Sequence, residues 1–301
     1  ITSLLHQTKV QAATLKVEDP DKIQEYDLVI LQRELASMVA LRTLTIPMGR
    51  AALFYASRMP LMTEKFPIPK FNFDCHISPY GSTIILTKDQ LSSTATDWGY
   101  FHNGVLSGLS ISREAKGVSG LWLIFNKPPE LNTQHAGFLL GLGLNGHLKK
   151  LEEWHIYNYL GPKHPLTSVG LLLGMSALLR GTMDNKLTKV LLVHAVALLP
   201  QGANDLNVPI IVQTAGLIGI GFLYLASQHR RMSEIMLGQI SGVIYQNDTE
   251  RIDEGYRLAA GIALGMVNLG KGNDLKGLGD THVLEKLTAL ATSMKDYQTY
   301  E

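Results

Sequence analysis

Along the chain, apolar and polar positions change rhythm three times. Residues 23–44 carry Leu28, Leu31, Leu35, Met38 and Val39 at helical spacing, with Glu25, Asp27, Arg33 and Glu34 between them, which predicts an amphipathic helix. Gly49 to Arg58 predicts a second, shorter helix after a break at Pro47. From Met59 to Asp97 the helical period is lost. Pro60, Pro67, Pro69 and Pro79 interrupt any helix, and Ser92-Ser93-Thr94 reads as turn-like. Extended or irregular chain is expected there, with a short strand around Thr83–Leu86.

From residue 98 onward the pattern repeats. The phrases are Gly104-Val-Leu-Ser-Gly108, Gly137-Phe-Leu-Leu-Gly141, Gly170-Leu-Leu-Leu-Gly174, Ala215-Gly-Leu-Ile-Gly219 and Gly261-Ile-Ala-Leu-Gly265. Their second glycines are 33, 33, 45 and 46 residues apart, a period that signals stacked supersecondary units. Two positions further on sits a small residue in four copies (Ser110, Gly143, Ser176, Gly221), with Val267 as the exception. Each phrase is followed by a second periodic segment: Val118–Phe125, Leu148–Leu160, Leu187–Leu199, Ser233–Ile244 and Val283–Met294. The unit is therefore helix–turn–helix, with extra loop around Pro200–Pro209 and Tyr245–Glu254. The chain divides into a helical lead-in (1–58), a Pro-rich segment (59–97) and about five repeats (98–301).

Two glycines four apart lie on one helix face. Placing nine glycines at these ten positions costs roughly 5–9 kcal/mol in helix propensity relative to Ala. Close contact between neighbouring helices must offset that cost. The phrases have little polar face, so these helices are expected to be buried on most sides. Stacking such units gives an all-α solenoid in which each repeat meets chiefly its neighbours. The last phrase is as apolar as the others and the first residue is Ile1, so further chain is expected beyond both ends.

Composition narrows the function classes. Formal charge is +1, from 27 basic and 26 acidic residues, and His229-Arg230-Arg231 is the densest basic run; nucleic-acid binding gains no support. Cys75 is the one cysteine, which excludes a disulfide framework and multi-cysteine zinc sites. Residues 1–30 lack an apolar signal segment. Leu206–Gln228 is uncharged over 23 residues, but its strongly apolar part, Ala215–Ala226, is only 12 long, which favours a buried helix over a membrane span. Gly270–Gly279 lacks the Gly-Lys-Ser/Thr ending and the preceding strand of a phosphate loop, and predicts an inter-helix turn. His155 and His194 each lie seven residues after the first leucine of their helices, suggesting one repeated structural role. Glu152 and Glu153 with Lys149 and Lys150 read as a solvated face, and Trp98, Trp122 and Trp154 as packing anchors. No constellation nominates a nucleophile, base, metal or cofactor, so no enzyme is expected.

The phrases resemble the proteasome/cyclosome repeat, a family found in scaffold subunits of the proteasome regulatory particle and of the anaphase-promoting complex. Phe101–Gly108, Asn126-Lys-Pro128, Ala136–His147, Gly181–Asp184, Leu206–Pro209, Gln213–Tyr224 and Gly255–Gly270 look like the cyclosome branch, as do Leu44–Arg50 and Thr63–Phe73 upstream. The resemblance covers roughly residues 28–280. It implies a toroid of paired helices in two concentric rings, with more than five repeats. It also implies a non-catalytic scaffold role in a multi-subunit ubiquitin ligase of mitosis, in nucleus and cytoplasm. The implied partners are the cullin/RING module, the Doc-homology subunit, the tetratricopeptide subunits and the co-activator. Ubiquitin transfer needs a zinc-built RING or a nucleophilic cysteine, and an isolated Cys75 offers neither, so activity is expected to reside in partners. A proteasome scaffold is the alternative, and a membrane protein built on Gly-rich helices is a third reading.

Overall fold

The computed structural model describes residues 9–17, 23–195, 199, 207–241, 244–246, 249–251, 253–274 and 277–292. They form a largely helical chain with two compact units, Ile1–His155 and Ile156–Glu301.

The first unit begins with β1 (Gln11–Thr14), α1 (Glu25–Thr43) and α2 (Ile46–Phe54), followed by β2 (Cys75–Ser78) and β3 (Ser82–Ile84). β1 pairs parallel with β2, Gln11 opposite Cys75, and β2 pairs antiparallel with β3, Cys75 opposite Ile84. β1 departs from the helical lead-in expected over residues 1–58, whereas β2 and β3 fall in the segment expected to be extended or irregular. β1 carries no strong pattern in its Gln-Ala-Ala-Thr text, because a partner more than sixty residues away defines it. The strand expected at Thr83–Leu86 begins and ends earlier. Pro47 does not break a helix; it sits in the first turn of α2, where its missing N–H has no intrahelical role.

α1 packs on this sheet through small residues. Its buried side is Gln32, Ala36, Ala40 and Thr43, flanked by half-buried Leu28, Leu35 and Val39. Leu31 and Met38, expected in the core stripe, are exposed. Short side chains let the helix settle onto Phe73, Cys75 and Ile77, so the larger apolar residues fall at the margins.

α3 (Ser93–Leu109) starts inside the stretch read as turn-like. Thr96 Oγ1 donates to the carbonyls of Ser92 (3.1 Å) and Ser93 (2.9 Å), satisfying acceptors in that first turn. α4 (Gly120–Asn126), α5 (Thr133–Leu144), a 3₁₀ turn (His147–Lys150) and α6 (Glu153–Leu160) follow. Two of these short helices start at side-chain caps: Ser119 Oγ accepts from the Trp122 N–H and Asn132 Oδ1 from the His135 N–H.

In the second unit, α7 (Pro165–Leu178), α9 (Ile210–Leu223) and α11 (Glu254–Val267) are inner helices, with α9 packed between the other two. α8 (Asn185–His194), α10 (Arg230–Ser241) and α12 (Val283–Thr292) alternate with them, giving the predicted helix–turn–helix order and a solenoid-like, mostly helical fold. Where the sequence predicts a loop at Tyr245–Glu254, β4 (Ile244–Gln246) pairs antiparallel with β5 (Thr249–Arg251); Ile244, expected to end the preceding helix, is in the strand, and residues 242, 243, 247, 248 and 252 lie outside the described residues. Residues 200–206 of the other extra loop, 196–198 of the predicted Leu187–Leu199 helix, and Ser293 and Met294 lie outside the described residues. No helix among the described residues is long and apolar enough to cross a membrane.

Candidate functional site

The repeat signature is the site, and in the first unit it closes on itself. Gly104 and Gly108 of α3 meet Gly137 and Gly141 of α5, and all four are buried. A Cβ on Gly104 would lie 2.7 Å from the Phe138 nitrogen, and one on Gly108 2.8 Å from the Phe138 oxygen. A Cβ on Gly137 would strike the Phe101 carbonyl, and one on Gly141 the Val105 carbonyl. These obstacles are backbone, which cannot rotate aside as a side chain can. The two helices touch main chain to main chain, which is what the unfavourable glycines make possible.

Elsewhere the signature behaves differently. Gly170 and Gly174 are buried in α7. Gly219 of α9 faces back to α7, where a Cβ would come 2.8 Å from Ser176 Oγ. Gly221, two positions on, faces forward: its Cβ would lie 2.9 Å from the Ala263 Cα of α11. Gly261 and Gly265 do not continue this series. Each has open space where a Cβ would stand, and the buried stripe of α11 is Tyr256, Ala259, Ala260, Ala263, Leu264 and Val267. The fifth copy of the backward-facing pair is therefore Ala259/Ala263. Gly265 corresponds to Gly221, the forward-facing small residue, which removes the Val267 exception. Sequence spacing placed two glycines on one face but could not say which face.

A second device confirms that register. Six backbone positions take left-handed φ, three and five residues beyond inner helices: Gly181 and Met183, Ala226 and Gln228, Gly270 and Gly272. The Gly181 and Met183 N–H groups donate to the Phe222 and Leu223 carbonyls at 2.9 and 3.1 Å, and those of Ala226 and Gln228 to Met266 and Val267, both at 2.9 Å. The first two loops thus satisfy the terminal carbonyls of the next inner helix, groups that have no partner within their own helix. In the first unit Ala56 and Arg58 do the same for Leu109 (3.0 Å) and Ser110 (2.9 Å). The sequence signal is faint, because only Gly270-x-Gly272 shows the pair as glycines. In the segment Gly270–Gly279, predicted as an inter-helix turn, residues 271–274 and 277–278 are irregular or turn-like and Gly279 opens a 3₁₀ turn, while residues 275 and 276 lie outside the described residues.

The Pro-rich segment is ordered against the first repeat as a strap. The Phe66 N–H donates to Asn126 Oδ1 (2.7 Å), and Asn103 Nδ2 donates to the Pro69 carbonyl (2.7 Å). The Phe66 ring packs 5.6 Å from that of Phe138 and 6.5 Å from that of Trp122. Asn145, at the C-terminal end of α5, donates to the Leu109 and Ile111 carbonyls.

The remaining candidates separate. Trp122 is buried, whereas Trp98 and Trp154 are more than a third exposed, so only Trp122 is a core anchor. His155 is buried, its Nδ1 accepting from the Glu152 N–H at 3.2 Å. His194 is half-buried and its Nδ1 lies 2.8 Å from the Val190 carbonyl. Their equal spacing does not give one shared role, because the first helix is broken by the 3₁₀ turn and restarts at Glu153. Lys149, Glu152 and Glu153 are solvated as expected. His135 is buried, and burial first, then the charges of Lys127 and Lys65, push its pKa down to about 4. Burial raises the Cys75 thiol pKa, the opposite of what a thiolate nucleophile requires. Among the described residues no three His, Cys, Asp or Glu side chains gather as a metal site.

Closely packed inner helices and loops hydrogen-bonded to the next repeat define the class, a helical-repeat packing module. Two family models cover it, the "APC1 fourth domain" over residues 1–180 and the "APC1 fifth domain" over residues 185–301. The chain belongs to the family of anaphase-promoting complex subunit 1. A similar protein of Emericella nidulans, named "Negative regulator of mitosis", is 49% identical over 97% of this chain and 14% of its own length. Proteins named "Anaphase-promoting complex subunit 1" from Saccharomyces cerevisiae and Homo sapiens are 47% and 41% identical, over 91% and 90% of this chain. The chain spans only 14–16% of the length of these relatives.

Proposed function

We propose that the chain is a non-catalytic scaffold segment of the anaphase-promoting complex, organising catalytic and substrate-recognition modules for ubiquitin-dependent degradation of mitotic regulators. The observation that carries this reading is the main-chain contact of α3 with α5 at Gly104, Gly108, Gly137 and Gly141. Helices held at that distance resist sliding, since the glycine hollows fit one register only. Rigidity of this kind suits a part that fixes other parts.

The open face of α11 extends the same logic. Gly265 stands in the forward-facing position, Leu258, Ile262 and Leu269 are exposed beside it, and Gly270 and Gly272 repeat the left-handed loop geometry. We infer that another inner helix packs there, as part of a toroid with two rings.

The partners in this reading are the cullin/RING module, the Doc-homology and tetratricopeptide subunits and the co-activator, in nucleus and cytoplasm. Affinity purification of the full-length protein from dividing cells tests it. Recovery of cullin, RING and tetratricopeptide subunits is expected; recovery of proteasomal ATPases in their place contradicts it and favours the proteasome scaffold.

A further inference from the structure

α2 has the composition of a core helix and the exposure of a surface one. Arg50 is the only polar residue in it, yet Pro47 alone is buried. A helix apolar on every side belongs in an interior. The exposed apolar run continues on both flanks, from Met38 and Leu41 near the end of α1, through Met48 and Leu53 of α2, to Met59 and Leu61 at the start of the strap. Met48, Met59 and Leu61 are 67%, 63% and 64% exposed. Apolar residues exposed in one run, as distinct from scattered ones, mark a surface that another body covers. Methionine suits such a surface because its flexible thioether adapts to a partner.

The charge of this run points to what covers it. No Asp or Glu occurs from Leu35 to Thr63, a stretch that contains Arg42, Arg50 and Arg58. Arg42 and Arg58 are exposed, and neither enters an ion pair among the described residues. The strap and α3 residues beside α2, Pro67, Pro69, Asn103 and Ser107 among them, add no carboxylate. A second copy of the chain would set arginine against arginine, which is unfavourable. A membrane surface is held by clusters of about four to eight basic residues, more than this run supplies. Arg42 and Arg58 bracket α2, whose length is roughly 14 Å. Carboxylates that match them stand roughly two to three turns apart on a partner helix.

We propose that α2 and its flanks are a docking surface for an acidic amphipathic helix of another protein. The apolar face of that helix, with anchors at i, i+3, i+4 and i+7, packs on Met48, Leu53 and the apolar residues beside them. Its carboxylates pair with Arg42 and Arg58 at the rim, where they set orientation and partner choice more than affinity.

The test uses the full-length protein and follows sulfoxide formation at Met48 by mass spectrometry under dilute hydrogen peroxide. The probe is a methionine-free helical peptide with leucines at i, i+3, i+4 and i+7 and glutamates along its margins. Its counterpart carries lysines in place of the glutamates. Met48 should oxidise readily in the protein alone; saturating glutamate peptide should slow it, and lysine peptide should not. Arg42→Glu combined with Arg58→Glu should weaken the glutamate peptide by roughly tenfold or more and admit the lysine peptide, a reversal that also shows the variant to be folded. Arg42→Lys combined with Arg58→Lys should bind like the unmodified protein. Slow oxidation without peptide would place another segment of the same chain on α2, and slowing that grows with protein concentration would place a second copy there. Either result overturns the proposal, as do equal protection by the two peptides, protection by phosphatidylserine vesicles alone, or protection by none of these.

Discussion

Gly108 of α3 and Gly141 of α5 face each other with no side chain between them: a Cβ on Gly141 would stand 3.0 Å from the Gly108 Cα. Both Cβ positions point into one gap, so the first methyl group to enter forces the helices apart for the second. Gly108→Ala and Gly141→Ala should each destabilise by about 1–3 kcal/mol, the range for overpacking. Together they should cost less than their sum. Urea unfolding of the two single variants and the double variant reads this coupling; strict additivity would show that the gap is not shared.

The strap depends on Phe66 and Asn103 rather than on its own hydrogen bonding. Phe66→Ala removes the ring packed on Phe138 and Trp122 and should destabilise the first unit by about 3 kcal/mol. Limited trypsin digestion should then cut faster at Lys65 and Lys70, which flank the anchor. Asn103→Ala should produce the same cleavage pattern more weakly, since it removes one hydrogen bond.

His135 makes stability depend on pH. Its pKa is about 4 when folded, against 6.5 ordinarily, so between those values the unfolded chain binds the extra proton. Stability should hold above pH 6.5, fall as pH drops from 6.5 to about 4, and level off below. The full loss is roughly 3 kcal/mol. His147, also lowered by burial, acts in the same direction. Denaturation midpoints at pH 7.5 and 5.0 should differ less in His135→Gln than in the unmodified protein.

Cys75 is completely buried in β2, and its thiol pKa is raised. A thiol reagent such as 5,5′-dithiobis(2-nitrobenzoic acid) should label it only at the rate of unfolding, and at once in denaturant. Rapid labelling of the folded protein would show that β2 is accessible.

What the sequence made legible follows from the range of the interactions. Inner helices were readable because their buried faces repeat at helical spacing, and the glycines at 104, 108, 137 and 141 were readable as contacts because their propensity cost demands a neighbour. The face of α11 was not. Alanines at 259 and 263 and glycines at 261 and 265 are equally small, and only the packing against Gly221 shows which pair is covered. β1 was invisible because its partner is distant and its four residues carry no strong pattern. The strap looked irregular because prolines remove the helical period, while its order comes from Asn103, Asn126 and the Phe66 pocket. Loop positions 181, 183, 226 and 228 share a backbone conformation that their side chains do not advertise.

The central claim is that the repeat signature works by main-chain contact where it is covered and is merely a poor helix former where it is open. Comparing Gly137→Ala with Gly261→Ala in this chain, by urea unfolding, tests it most directly. A Cβ at 137 enters the Phe101 carbonyl and one at 261 meets nothing within 4 Å. The account predicts opposite signs: a loss of about 1–3 kcal/mol at 137 and a gain of up to about 1 kcal/mol at 261. Equal losses at both positions, or a neutral Gly137→Ala, would contradict it.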